Sequence, residues 1–129
     1  MISLRGSLFA IAVPAALFVG TAAQAHPKLL SATPAPNSSV ATTSKIELHF
    51  NEVLVSQFSG VDLAMTDMPG MKMNAPMKMS GLATALSADG KTLVITMKSP
   101  LPSGTYKVDW HVVSTDTHRV NGSYSFKVK

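Results

Sequence analysis

The sequence predicts an all-β protein, an antiparallel two-layer β-sandwich of about seven strands. Three observations predict it. Apolar residues recur with period two in run after run, turn signals separate those runs at short intervals, and no stretch carries the apolar stripe of a helix.

Residues 28–33 form an early extended stretch. In Lys45–Phe50, Ile46, Leu48 and Phe50 share one face, and Glu47 and His49 the other, the pattern of a half-buried strand. Residues 61–65 alternate in the same way, and residues 82–86 do so more weakly. Asp89-Gly90 marks a tight hairpin leading into a strand over 92–97. Pro100, Pro102 and Gly104 break the chain before a strand over 105–113, which puts Tyr106, Val108, Trp110 and Val112 on one face. Trp110 is the expected centre of the core. Val120-Asn121-Gly122 reads as a turn, after which Tyr124, Phe126 and Val128 alternate to the end. Residues 65–80 fit no strand: Pro69, Gly70 and Pro76 forbid a regular helix or a central strand. A loop of that length in a small domain is usually functional or disordered.

The start of the chain reads as an address. Arg5 is its only charge, an apolar run covers residues 8–19, and Ala23-Gln24-Ala25 ends it. This is the signature of a secretory signal peptide over residues 1–25, leaving one domain over 26–129. A membrane-spanning helix needs ~20 apolar residues, and this run is shorter and contains Pro14. The mature chain is expected to be soluble, monomeric and periplasmic.

Composition narrows the function. At 129 residues there is room for one small domain. The formal charge is +4, and the basic residues are scattered, which argues against nucleic acid as a partner. Cys is absent, which removes disulfides, thiolate metal sites and cysteine nucleophiles together. Met, by contrast, occurs eight times, and six of those residues (Met65, Met68, Met71, Met73, Met77 and Met79) crowd into the irregular stretch.

Thioether sulfur is neutral and polarisable and needs no deprotonation, so a Met cluster suits Cu(I) and discriminates against hard divalent cations. A Met-rich surface also serves as an adaptable apolar binding patch. Four His complete the ligand inventory: His26, His49, His111 and His118. Cleavage after Ala25 gives His26 a free amine, and that amine with the ring Nδ1 closes a six-membered chelate on a metal. Pro27 has no amide proton to lose, so the chelate stops at two nitrogens and needs a partner from elsewhere. Asp116-Thr117-His118 offers one, since residues two apart point the same way in extended backbone. Two imidazoles, an amine and a carboxylate suit Cu(II) in tetragonal geometry. Zinc accepts the same ligands, and on spacing alone Asp-x-His is better read as a surface hydrogen-bonded pair. His49 lies on the polar face of its strand and reads as surface. His111 has the parity opposite to Trp110 and reads as exposed.

Taken together, His26-Pro27-Lys28-Leu29, the run from Lys45 to Glu52, Phe58-Ser59-Gly60, Met65-Thr66-Asp67-Met68-Pro69-Gly70-Met71, Pro76-Met77, Gly104 to Trp110 and Val113 to His118 resemble the CopC-like family of periplasmic copper-binding proteins. The resemblance covers essentially all of residues 26–129. It implies an immunoglobulin-like Greek-key β-sandwich or barrel with two copper sites at opposite ends. The implied Cu(II) ligands are His26 with its amine, His118, and Asp116 as the carboxylate used in some members, with Glu52 also considered. The implied Cu(I) ligands are Met65, Met68, Met71 and Met77. Family members with a well-formed Cu(I) site carry a His shortly before the Pro-Met pair. Here Met73 stands in that stretch, which points to an all-thioether site, and His111 stands where copper-resistance members have Arg.

The expected role is a copper carrier for homeostasis or resistance, with no reaction of its own, that passes copper to an inner-membrane transporter or another periplasmic copper protein. The competing role is enzymatic, because an N-terminal His chelate with a second His resembles the histidine brace of copper monooxygenases. Such an enzyme needs an open coordination position and a broad docking face, and this short chain leaves little room for the latter.

Overall fold

The computed structural model describes Ala12 and residues 26–129. The expected signal peptide, residues 1–25, lies outside the described residues apart from Ala12. Nine strands are present among the described residues: β1 Leu29–Thr33, β2 Ser39–Val40, β3 Lys45–Phe50, β4 Gly60–Asp67, β5 Met77–Lys78, β6 Ala83–Leu86, β7 Thr92–Thr96, β8 Gly104–Val113 and β9 Arg119–Val128. They form a four-stranded sheet in the order β1-β3-β7-β6 and a five-stranded sheet in the order β2-β9-β8-β4-β5. All pairings are antiparallel except β2 with β9, which is parallel. The only helical element among the described residues is one 3-10 turn, Ser56–Phe58.

Alternation creates the sandwich. In β8 the even positions Tyr106, Val108, Trp110 and Val112 are buried, and in β3 Ile46, Leu48 and Phe50 face them from the other sheet. Tyr106 stacks on Phe126 with centroids 5.6 Å apart, and its hydroxyl donates to the Pro102 carbonyl at 2.6 Å, so the buried phenol is satisfied. Trp110 is in the core as expected and meets Phe50 edge-on at 5.3 Å.

Two features depart from the expectation. Val120-Asn121-Gly122 is no turn, because it lies inside β9, and Gly122 sits opposite Trp110. A Cβ at Gly122 would stand 2.4 Å from Trp110 Cζ2, so the glycine marks a close approach, not a reversal. The chain reverses instead between Val113 and Arg119, the last β8–β9 pair. The stretch 65–80 is not all loop. β4 runs on to Asp67, and Met77–Lys78 pair back onto it, Met65 with Met77 and Ala64 with Lys78. Met65 keeps the inward parity of Leu63 and is 1% exposed. The sandwich is antiparallel as expected, with the two-residue β2 added in parallel to β9. The Asp89-Gly90 hairpin between β6 and β7 is as predicted, with Gly90 at φ +72.

Candidate metal centres

One end of the sandwich gathers nitrogen donors. Pro27 is buried, and the Lys28 N–H donates to Asn51 Oδ1 at 2.7 Å, so the start of the domain is pinned to the end of β3. Residues 51–55 are in turn tied to the β8–β9 reversal: Val55 N–H donates to the Val113 carbonyl at 2.8 Å, and Thr115 N–H to the Val53 carbonyl at 3.0 Å. These ties bring His26 and His118 together, with ring centroids 4.8 Å apart and planes at 65°.

The reversal itself shapes His118. Ser114 N–H bonds the His118 carbonyl at 3.0 Å, Thr117 N–H bonds the Ser114 carbonyl at 2.9 Å, and Thr117 takes φ +72. Asp116 and His118 therefore meet across a tight turn, not along the extended strand that their spacing suggests. Asp116 Oδ2 lies 2.9 Å from His118 Nδ1. That nitrogen is shielded from solvent, with the carboxylate as its near polar neighbour. Asp116 Oδ1 accepts from the Ser114 hydroxyl, and the His118 N–H reaches toward it at 3.4 Å. The Ser114 hydroxyl first, and the His118 ring second, hold the Asp116 carboxyl well below the usual range, at about 2. Asp116 thus stands behind His118, on the ring nitrogen opposite Nε2, in the manner of a carboxylate that orients a ligating imidazole. Among the described residues no group of three or more His, Asp or Glu surrounds a common point where a metal could sit. What the fold assembles is a pair of imidazoles with a carboxylate behind one of them.

The other expected donors lie apart. Glu52 is half-buried on the segment that ties this end together. His49 faces outward on the four-stranded sheet, with Nδ1 2.9 Å from Thr92 Oγ1. His111 faces outward on β8, and its ring lies over Gly60, where a Cβ would stand 3.2 Å from Cε1.

Sulfur gathers at the opposite end. β8 pairs its start with the end of β4, Thr105 with Asp67, and its tenth residue leads into the Asp116 turn. Ten strand residues at ~3.4 Å each separate the two ends by about 30 Å. Met68 and Met71 face each other as an isolated bridge, and Met71 N–H bonds the Met68 carbonyl at 3.1 Å. Pro69 and Gly70, the latter at φ +76, occupy the two central positions, as a type II turn demands. Met-Pro-Gly-Met thus sets two methionine backbones opposite each other across a tight turn. Met71 and Met77 are 63% and 50% exposed, while Met68, Met73 and Met79 are half-buried against the core. Met65 differs from all of these in being a core residue. Met97 is silent in the sequence because it is a lone Met at the end of a strand; it lines one cavity of about 180 Å³ together with Met79.

Among the described residues no helix is long and apolar enough to cross a membrane. The CopC domain family matches residues 29–129. Copper resistance protein C of Pseudomonas syringae pv. tomato is 53% identical over 126 residues, 98% of each chain. Copper resistance protein C of Escherichia coli is 48% identical over 111 residues, 86% of this chain and 87% of that one. The crystal structure of PcoC, a methionine-rich copper resistance protein from Escherichia coli, superposes with a TM-score of 0.73 at 47% identity, covering 81% of this chain and all of that one. With the sandwich, the paired histidines and the methionine turn, these similarities establish that the chain belongs to the CopC family.

Proposed function

We propose that this protein is a periplasmic copper carrier serving copper resistance or homeostasis, with separate sites for the two oxidation states. The observation that carries the reading is the meeting of His26 with His118 at one end, while Met68 and Met71 face each other across a tight turn at the other. Export removes residues 1–25 and frees the His26 amine. Amine and Nδ1 of His26 and Nε2 of His118 then bind Cu(II). Asp116 orients His118 and supplies negative charge beside the cation. Met68, Met71, Met73 and Met77 bind Cu(I) by sulfur alone. Met65 supports this end from the core and joins the ligands only if its strand edge opens. Copper is cargo, and the role requires no reaction. It is passed to an inner-membrane copper transporter or another periplasmic copper protein.

The test combines intact mass with spectroscopy. Secreted protein should begin at His26, and one equivalent of Cu(II) should give an EPR spectrum with nitrogen couplings that His118→Ala alters. X-ray absorption of the Cu(I) form should show sulfur neighbours only. A mature start elsewhere, or an unaltered EPR spectrum in His118→Ala, refutes the Cu(II) site. A clear imidazole contribution to the Cu(I) form refutes the all-thioether site.

A further inference from the structure

Next to the nitrogen-donor end, the outer face of the five-stranded sheet carries a cavity of about 310 Å³. Its outward-facing walls are Phe58, His111, Val113, Arg119 and Asn121. β8 and β9 present four of these in register, His111 opposite Asn121 and Val113 opposite Arg119, and Phe58 closes the side from the 3-10 turn. The lining combines N–H donors with apolar surface and contains no carboxylate. Arg119 is exposed, and among the described residues no Asp or Glu pairs with it. That leaves a five-donor cation free to take a carboxylate in a forked contact. His111 offers a ring N–H in either neutral tautomer, and Asn121 adds an amide. Phe58 is 53% exposed, one of the few large apolar side chains that the fold leaves uncovered. His111 reaches this position because Gly60 lacks a side chain beneath it.

We infer that this cavity docks an acidic segment of a partner protein, a carboxylate next to an apolar side chain, with Arg119 taking the carboxylate and Phe58 and Val113 the apolar group. Charge complementarity selects the occupant: the cavity has donors and no acceptor carboxylate, on a chain of formal charge +4. Arg119 is the residue directly after His118 in the chain, so the cavity adjoins the turn that carries His118. The meaning of that location rests on the proposed copper role; the binding chemistry of the cavity does not.

The experiment is carried out without copper, so its result is independent of the copper sites. The ¹⁵N-labelled protein, expressed as the full chain, is titrated by NMR with acetyl-Asp-Phe-Asp-amide, acetyl-Asn-Phe-Asn-amide and phenylacetate. The acidic peptide should move the amides of residues 58–60, 111–113 and 119–121, and the amide peptide should bind at least about tenfold more weakly, the scale of one charge-assisted contact. Arg119→Glu should weaken the acidic peptide by at least about tenfold, and Phe58→Ala should weaken it measurably, both substitutions being at exposed positions. Lys107→Glu makes the same charge change on the same outer face, away from the cavity, and should leave binding nearly intact. The inference is overturned if both peptides bind alike, if the shifts map elsewhere, or if Lys107→Glu weakens binding as much as Arg119→Glu does. Phenylacetate binding as tightly as the acidic peptide also overturns it, by making the ligand a small carboxylate instead of a protein segment.

Discussion

His26 and His118 meet edge to face, with ring centroids 4.8 Å apart, although one precedes the first strand and the other closes the last hairpin turn. Nothing in the packing of the core requires two imidazoles there. Each is held by backbone ties, His26 through Lys28 to Asn51 and His118 through the turn to Ser114. A site built by backbone keeps its shape when a side chain is removed. His118→Ala should therefore cost little stability, yet weaken Cu(II) by more than the roughly 10- to 100-fold that loss of a mere supporting group produces. Cu(I) affinity should be unchanged, because the methionines lie at the far end of β8. Competition titrations with chelators for each oxidation state check both halves.

Asp116 gives the turn a pH signature. Its folded pKa, about 2, lies below the ordinary carboxyl value of 3.8, with the Ser114 hydroxyl as the first cause and the His118 ring as the second. A depressed carboxylate stabilises the folded form above its unfolded pKa, and that contribution fades as pH falls through the folded value. The turn should thus hold from neutrality down to about pH 4 and loosen between there and about pH 2. Ser114→Ala removes the largest cause and should raise the Asp116 pKa, read from the carboxyl ¹³C shift. An unmoved titration would show that the hydroxyl contributes nothing.

The methionines should separate into two groups. Met65 is 1% exposed and packs near Gly104, whereas Met71 is 63% exposed. Met65→Ala opens a core cavity and should cost about 2–5 kcal/mol in urea unfolding. Met71→Ala should cost almost no stability and lower Cu(I) affinity. Met73→Ala should also lower Cu(I) affinity, while Asn74→Ala should not. Peroxide treatment should convert the exposed sulfurs to sulfoxides and abolish Cu(I) binding without unfolding the protein.

The strands are legible in the sequence where alternation runs for four residues or more, and β3 matches residue for residue. β2 and β5 have two residues each, too few to show a period. Met65 reads with the loop because Met and Pro crowd the residues after it, yet its parity with Leu63 already points inward. The two histidines are legible as candidate donors, since imidazole is chemistry visible in the letters. How they meet is not: the spacing suggests an extended strand, and the fold uses a turn with Thr117 at positive φ. Asp116 is expected beside a metal and stands behind His118, a distinction that depends on which oxygen faces which nitrogen. The cavity at Arg119 depends on strand register, which no local pattern reveals.

Gly122 shows most directly what local signals miss. Asn121-Gly122 is a strong turn dipeptide, yet here it lies inside β9, paired with His111 and Trp110. The indole occupies the space a side chain would need, with Cζ2 at 2.4 Å and Cε2 at 2.8 Å from an added Cβ. Trp110 cannot simply withdraw, because it also packs on Phe50. Gly122→Ala should therefore overpack the core and cost about 1–3 kcal/mol, well beyond the few tenths typical of a surface change. Ala is otherwise the better strand residue, so a gain in stability would mean that the indole does not cross this strand. Because Trp110 is the only Trp in the chain, its fluorescence and near-UV circular dichroism report the displacement without ambiguity. His26 and His118 lie beyond the Trp110 pair along β8 and β9, so Cu(II) affinity should fall less than stability does. A double substitution, Gly122→Ala with Trp110→Phe, should recover part of the loss by making room, and the two effects should be strongly non-additive.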